Sequence, residues 1–403
     1  MSTMPDSQGS PEGPSPRRYT RGQALGRVAS VAAGVAAGPT LFGALASDAL
    51  GARDAAASGF PTKFSQFKPF NPHVPPGPPT GLPKTIVTNI AAGSAYFIEL
   101  SKTVQKSVES RGYTLSTTTY ASDVAKNVDQ LTQLLNKGIG GIVLQAQDEH
   151  AESAVLTQAI NKGVCVIYEV ASPCTQQIAA DQYKSGYTQG TAALNWIKAN
   201  LGSQAKVVVF NSAKIAQTLI PRTTGRIDAL KKGGSGINIV ANIGISLLTP
   251  EEGSNAASTL MQAHPDINVW VGDDDTIVGV ESALMAMGKK PTDKIYLSGF
   301  NGQANALARL KAGGLFREDI AFPNGVYEWA TGQYLCDYIE GKSIPQVQVL
   351  DAIPVTKENI GHFLADDQNP KAAFERGVQG YLTLLGNIDY RNRMQNYIRA
   401  SIS

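Results

Sequence analysis

From residue 84 onward, short unbroken apolar runs alternate with longer stretches in which apolar residues recur every three or four positions. Residues 85–90 form a β-rich run. Residues 96–110 follow with Phe97, Leu100, Val104 and Val108 spaced on one face of a helix, which Arg111-Gly112 closes as a C-cap. The cycle then predicts a strand at 113–119, a helix at 124–137, a strand at 141–145, a helix at 152–162 and a strand at 164–168. A second series predicts helices at 186–200, about 222–231, 253–263 and 276–287, preceding strands at 206–211, 238–243, 269–272 and 294–298 respectively. Strands that are apolar throughout, each followed by an amphipathic helix, indicate a parallel sheet covered on both faces. Two such series predict an α/β chain of two Rossmann-like lobes. In open α/β sheets, ligands bind beyond the carboxyl ends of the strands. Here those ends are residues 89–95, 145–148, 168–171, 211–215, 272–275 and 299–302.

The first 83 residues lack this pattern. Residues 1–16 are rich in Ser, Pro and Gly; Arg17, Arg18, Arg21 and Arg27 lead into a weakly apolar Ala/Gly run ending near Ala44-Leu45-Ala46. A basic stretch, an apolar stretch and a small-x-small site are the parts of an export signal, expected over residues 1–46. Arg17-Arg18 followed by Tyr19-Thr20-Arg21 resembles a twin-arginine signal, although Pro16 and Thr20 depart from that pattern. An uncleaved membrane anchor is the alternative, disfavoured by Pro39 and the Ala/Gly content. No Cys lies near Ala46, which closes the lipoprotein route. Residues 47–83, including His73-Val74-Pro75-Pro76-Gly77-Pro78-Pro79, read as an extended Pro-rich linker.

Composition narrows the classes further. The 403 residues carry 35 Lys+Arg against 33 Asp+Glu, a net charge of +2, with 42% apolar residues. This excludes a disordered chain and gives no clustered basic excess for nucleic acid. Three Cys exclude a disulfide scaffold. Cys165 and Cys174 can bridge if the protein is exported, but a buried strand thiol and a loop thiol is the favoured reading. No Gly-x-Ser-x-Gly elbow, no G-x-G-x-x-G after a strand and no paired-His metal spacing occur. Gly341-Lys342-Ser343 imitates the end of a phosphate loop, but Cys336 stands where its first Gly belongs. Asp273-Asp274-Asp275, at a strand end before a helix, is the one notable acidic cluster; its readings are a helix cap through Asp275, ligand hydrogen bonding, or a metal or catalytic site. No enzyme motif survives, and no cofactor or metal is expected.

The order of motifs from 84 to about 360 resembles the type I periplasmic binding proteins of the ribose- and galactose-binding kind. The similarity lies in Gly93-Ser94-Ala95-Tyr96-Phe97, residues 138–144, Ile178-Ala179-Ala180-Asp181, Arg222-Thr223-Thr224-Gly225, Ala263-His264-Pro265-Asp266, Asp273-Asp274-Asp275, Gly299-Phe300-Asn301-Gly302 and residues 354–359. The resemblance implies two lobes joined by a three-strand hinge that close on a small ligand, usually a sugar. It places 84–182 with 323–350 in an N-terminal lobe, 183–322 with 351–360 in a C-terminal lobe, and leaves 361–403 as an extension. In that extension Tyr381, Leu382, Leu384, Leu385, Met394, Tyr397 and Ile398 are expected on helical faces.

Carried over by position, the resemblance implies that Ser94, Tyr96 and Phe97 line the first lobe, and that Glu169, or Val170 in the alternative register, stands near the family's acidic residue. Arg222 and Asp274 hold hydroxyls from the second lobe, and Asn301 takes the place of the family's Asp. Trp270 and Phe300 read as core. Asp274 for Asn, Asn301 for Asp, and Leu248 where some members stack an aromatic ring alter the donor and acceptor pattern. The implied function is an exported, monomeric solute-binding protein that delivers a small polar ligand to the membrane permease of an ABC importer. A soluble sensor docking a membrane receptor, or a binder of a non-sugar compound, is the alternative. Catalysis is not expected.

Overall fold

A computed structural model describes residues 64–91, 95–120, 123–145, 148–169, 173–214, 219–246 and 249–391. The expected export signal of residues 1–46, residues 47–63, Ser94, Leu248, Met394, Tyr397 and Ile398 lie outside the described residues. The chain runs β1 (Thr85–Ala91), α1 (Ala95–Glu109), β2 (Thr114–Tyr120), α2 (Val124–Lys137), β3 (Gly141–Gln145), α3 (Glu149–Asn161), β4 (Cys165–Glu169) and β5 (Gln176–Ala180). It continues with α4 (Gln182–Leu201), β6 (Ala205–Asn211), α5 (Ile220–Lys231), β7 (Ile237–Gly244), α6 (Pro250–Ala263), β8 (Val269–Val271), α7 (Asp274–Ala286), β9 (Tyr296–Asn301), α8 (Ala304–Ala312) and β10 (Phe316–Ala321). It ends with α9 (Asn324–Ile339), β11 (Pro345–Leu350), β12 (Ile353–Thr356), α10 (Ile360–Gln368), α11 (Pro370–Arg376) and β13 (Leu382–Asn387).

Two sheets result. One has the order β13-β11-β5-β4-β3-β1-β2, the other β12-β10-β9-β8-β6-β7. Pairing is parallel except where β13 meets β11 and β12 meets β10. The central strands are apolar on both faces because helices cover both. Cys165, Val166, Ile167 and Tyr168 in β4, and Val207, Val208 and Val209 in β6, are fully buried. Each such Val or Ile contributes about 1.5–3 kcal/mol by leaving water. The chain passes between the sheets at Asp181, after β10 at 322–323, and between β11 and β12 at 351–352, which makes a three-strand hinge. Among the described residues no helix is long and apolar enough to cross a membrane.

Two expectations need correction. Residues 382–387 are not helical: they return to the first sheet as β13, antiparallel to β11, and cover an edge that would otherwise be open. Residues 64–83 are no free spacer. Phe67 is buried with Val347, Val349 and Leu385, Phe70 N–H donates to Leu384 O at 2.9 Å, and Thr80 Oγ1 donates to Ile339 O at 3.0 Å. Apolar side chains within a Pro-rich stretch anchor it to the lobe. Cys165, Cys174 and Cys336 are buried and unbridged.

Candidate functional site

The carboxyl ends of both sheets meet at the hinge, because β5, β10 and β11 all run toward their crossings. In the second lobe, the site depends on how closely α5 lies against α4. A Cβ on Gly186 would collide with the Arg222 carbonyl, and one on Gly225 with that of Tyr183. These bare backbones let the helices touch and set Arg222, in the first turn of α5, over the strand ends.

Arg222 is only 6% exposed. Its Nη1 donates to Asp273 Oδ1 at 3.0 Å and its Nε to Gln182 Oε1 at 2.8 Å, while Ser212 Oγ donates to Asp273 Oδ2. The guanidinium carbon lies 4.0 Å from the Phe300 ring centroid, a cation–π contact. Burial lowers the Arg222 pKa and Asp273 opposes that shift. Phe300 itself is fully buried, edge-on to Phe322 at 5.3 Å, so it supports the guanidinium from the core. Deeper still, Arg226 is 1% exposed and donates through Nη1 to Phe210 O at 2.5 Å, leaving its Nε and Nη2 without partners among the described residues.

The structure therefore brings Arg222 together with Asp273, not with Asp274. Asp273 holds the N-cap position of α7 with extended backbone, and its carboxylate turns to Arg222 and Ser212 instead of the helix N–H groups. Asp275, expected as the cap, accepts from Asn305 Nδ2 at 2.9 Å. Asp274 is fully buried and accepts from Gln303 N–H at 2.7 Å. Burial first, then Asp319 beside it, push its carboxyl well above the ordinary range. Asn301 ends β9 at φ 116°, a conformation its short polar side chain tolerates, and its carbonyl accepts from Asn324 Nδ2 at 3.2 Å.

From the first lobe, Glu169 ends β4 half-buried and accepts from Tyr327 Oη at 3.1 Å. Tyr120, at the end of β2, is pushed up to about 12 by burial, with Glu152 and Glu169 adding to the shift. Asn89 is buried, donates to Thr118 Oγ1 at 3.1 Å, and leaves its Oδ1 without a partner among the described residues. Phe97 is half-buried in the first turn of α1, where Tyr96 also lies. Gln182, Ser212, Asp273 and Tyr327 were not named as site residues from sequence; Ser212 and Asp273 had a signal, in the strand ends 211–215 and 272–275. Among the described residues no group of three His, Cys, Asp or Glu is placed to hold a metal.

Buried polar side chains gathered at paired strand ends are the furniture of a site for a small polar ligand. Residues 86–343 match the periplasmic binding protein domain family. The chain belongs to the periplasmic binding protein family. It is 24% identical to the ribose import binding protein of Bacillus subtilis over 257 residues, which is 62% of this chain and 79% of that protein. The periplasmic ribose ABC transporter protein of Conexibacter woesei shares its fold with a TM-score of 0.62 at 20% identity, covering 74% of this chain and 98% of the other. The Caulobacter myo-inositol binding protein, bound to myo-inositol, gives a TM-score of 0.58 at 20% identity, covering 70% and 97%. As a periplasmic binding protein, the molecule has the fold that the order of its motifs implied.

Proposed function

We propose that this is an exported solute-binding protein that captures a small polyol, foremost a sugar, between its two lobes and presents it to the permease of an ABC importer. The observation that carries the reading is the buried Arg222–Asp273 pair laid over Phe300 at the strand ends. Vicinal hydroxyls each offer one donor and two acceptor lone pairs. A guanidinium beside a carboxylate answers both, and Asn301, Gln182, Glu169 and Asn89 extend the same amide and carboxylate chemistry across the hinge. The ribose and inositol binding named for its relatives supports a polyol ligand, and the family's periplasmic setting with the Arg17-Arg18 segment supports export.

A thermal-unfolding screen of the protein against pentoses, hexoses, inositols, amino acids and small aromatic acids tests this. A ligand at 100 times its Kd adds about 2.7 kcal/mol of stability. The expected outcome is a shift from one polyol that Gln182→Ala reduces and Arg222→Ala abolishes. Flat curves for every polyol, with a shift from another class, overturn the sugar while keeping the binding role.

A further inference from the structure

Behind the Arg222–Asp273 pair lie two carboxyls that the proposed ligand site does not use. Asp274 and Asp319 are both fully buried. Each caps one N–H of the turn that follows β9: Asp274 Oδ2 accepts from Gln303 at 2.7 Å and Asp319 Oδ1 from Gly302 at 3.2 Å. Their remaining oxygens, Asp274 Oδ1 and Asp319 Oδ2, have no donor among the described residues. Both press on the place where Gly299 would carry a Cβ. Among the described residues no Lys or Arg bonds to either carboxyl, since Arg222 is engaged with Asp273 and Gln182. Two carboxylates so placed in a low dielectric do not both ionise. A single proton between the orphaned oxygens makes one short O–H···O bond and satisfies both.

We propose that Asp274 and Asp319 share one proton at neutral pH, and that this acid pair is the latch that holds residues 299–303, and with them Asn301, against the hinge. Asn301 O also accepts from Phe322 N–H at 3.4 Å, so the latched turn is tied directly to the second crossing. Burial raises both carboxyls, Asp319 to about 6. The folded state therefore keeps the proton where the unfolded chain has lost it. The stability the latch supplies is whole at acid pH and declines as pH rises from the ordinary carboxylate range through the pair's folded value. The charged groups around the pair are Asp273 and Asp275 on α7, Arg222 on α5, and Glu318 beside Tyr296 on the neighbouring strands. Burial pushes Glu318 up to about 7, so its titration overlaps and must be removed by difference.

The consequence for ligand capture rests on the function proposed above; the latch itself does not. The test is thermal unfolding of the full chain and of Asp274→Asn from about pH 5 to about pH 9, with infrared spectra of both at neutral pH. An amide at 274 imitates the protonated acid permanently. The variant is expected to unfold at or above the wild-type temperature at the alkaline end. Its pH slope is expected to be shallower by up to a tenfold change in unfolding constant per pH unit, the limit for one proton. Burial also raises Glu318 and Glu328, so the readout is the wild-type-minus-variant difference spectrum, which is expected to show the carbonyl stretch of one buried protonated acid. A variant with the wild-type slope, or a difference spectrum without that band, overturns the latch. Should Asp274→Asn not fold, Asp319→Asn neutralises the same pair and is expected to flatten the same slope. D-ribose titrations in parallel are expected to weaken with pH in the wild type but not in the variant. No response to D-ribose counts against ribose as the ligand while the unfolding and infrared results still decide the latch.

Discussion

The two lobes are built on the same parallel-sheet plan but differ in the polar groups they bury at their strand carboxyl ends. In the first lobe an ion-pair network lies at the amino ends of the strands, where Arg111 meets Asp337 at 2.7 Å and Glu340 at 2.5 Å, and Lys342 joins Glu340 at 2.7 Å. Nearer its strand carboxyl ends the bonds are largely neutral: Thr88, Ser101 and Thr117 close a triangle of hydroxyls between β1, α1 and β2. The second lobe has pairs toward its strand amino ends too, Lys206–Asp266 and Arg309–Glu281, but adds buried ionic groups at its carboxyl ends, Arg222–Asp273 and Asp274–Asp319. Partly exposed pairs such as those of Arg111, which water still reaches, contribute less to stability, whereas a buried pair leaves an uncompensated charge when one member is lost. The second lobe is thus the half whose strand-end geometry depends on a buried ion pair, while the first lobe has a buried titratable group of its own in Glu328, whose carboxyl is raised by burial.

The largest expected effect follows from removing the centre of that network. Arg222→Ala strands the Asp273 carboxylate with Ser212 alone and uncovers Phe300, at a cost of about 3–5 kcal/mol in unfolding free energy. Arg111→Ala, in the first lobe, is expected to cost about 1 kcal/mol or less. Chemical denaturation of the two variants side by side checks this. Equal losses would mean that the two lobes hold their charges on the same terms, and the contrast drawn here would fall.

A smaller effect is expected from Gly299→Ala. Its backbone conformation is ordinary, but the new Cβ would enter the space held by Asp274 Oδ1, with Asp319 Oδ2 next at 3.1 Å. Overpacking of this kind costs about 1–3 kcal/mol. Because the collision is with the acid pair, the loss is expected to vary with pH, unlike that of a collision with apolar atoms. Unfolding measured at acid and alkaline pH separates the two.

What was legible in the chain follows the same division. Continuous apolar strands and 3.6-residue periodicity gave α2 and β3 at their observed limits, because burial on both faces leaves few other arrangements. Arg222 was legible from the Arg-x-x-Gly turn. The choice between Asp273 and Asp274 was not, since three identical residues carry no signal of which one precedes the first helical turn. Asp319 was invisible for a related reason: its partner is 45 residues away, and only the folded register of β10 against β9 brings Asp319 opposite Gly299. Residues 382–387 were read as helical faces because their leucines suit either period; the unpaired edge of β11 decides for a strand. Phe67 in a Pro-rich stretch likewise gave no hint of the surface it covers.

The smallest effect is the sharpest check on the comparison. Ser101 Oγ lies 2.7 Å from Thr88 Oγ1 and 2.6 Å from Thr117 Oγ1, and Thr88 donates to Thr117 at 3.0 Å. Ser101→Ala removes one hydroxyl and leaves the Thr88–Thr117 bond in place, so little is orphaned and the cost is about 0.5–1.5 kcal/mol. None of the three groups titrates in the range where proteins are studied. The loss is therefore expected to be the same at acid and alkaline pH, while that of Gly299→Ala is not. If Ser101→Ala instead grew costlier as pH rose, the triangle would have to be coupled to a titrating group of the first lobe, with Glu328, which bonds Thr103 on the same helix as Ser101, the first to test. A flat profile for Ser101→Ala beside a sloping one for Gly299→Ala ties the pH response of this contrast to the acid pair of the second lobe.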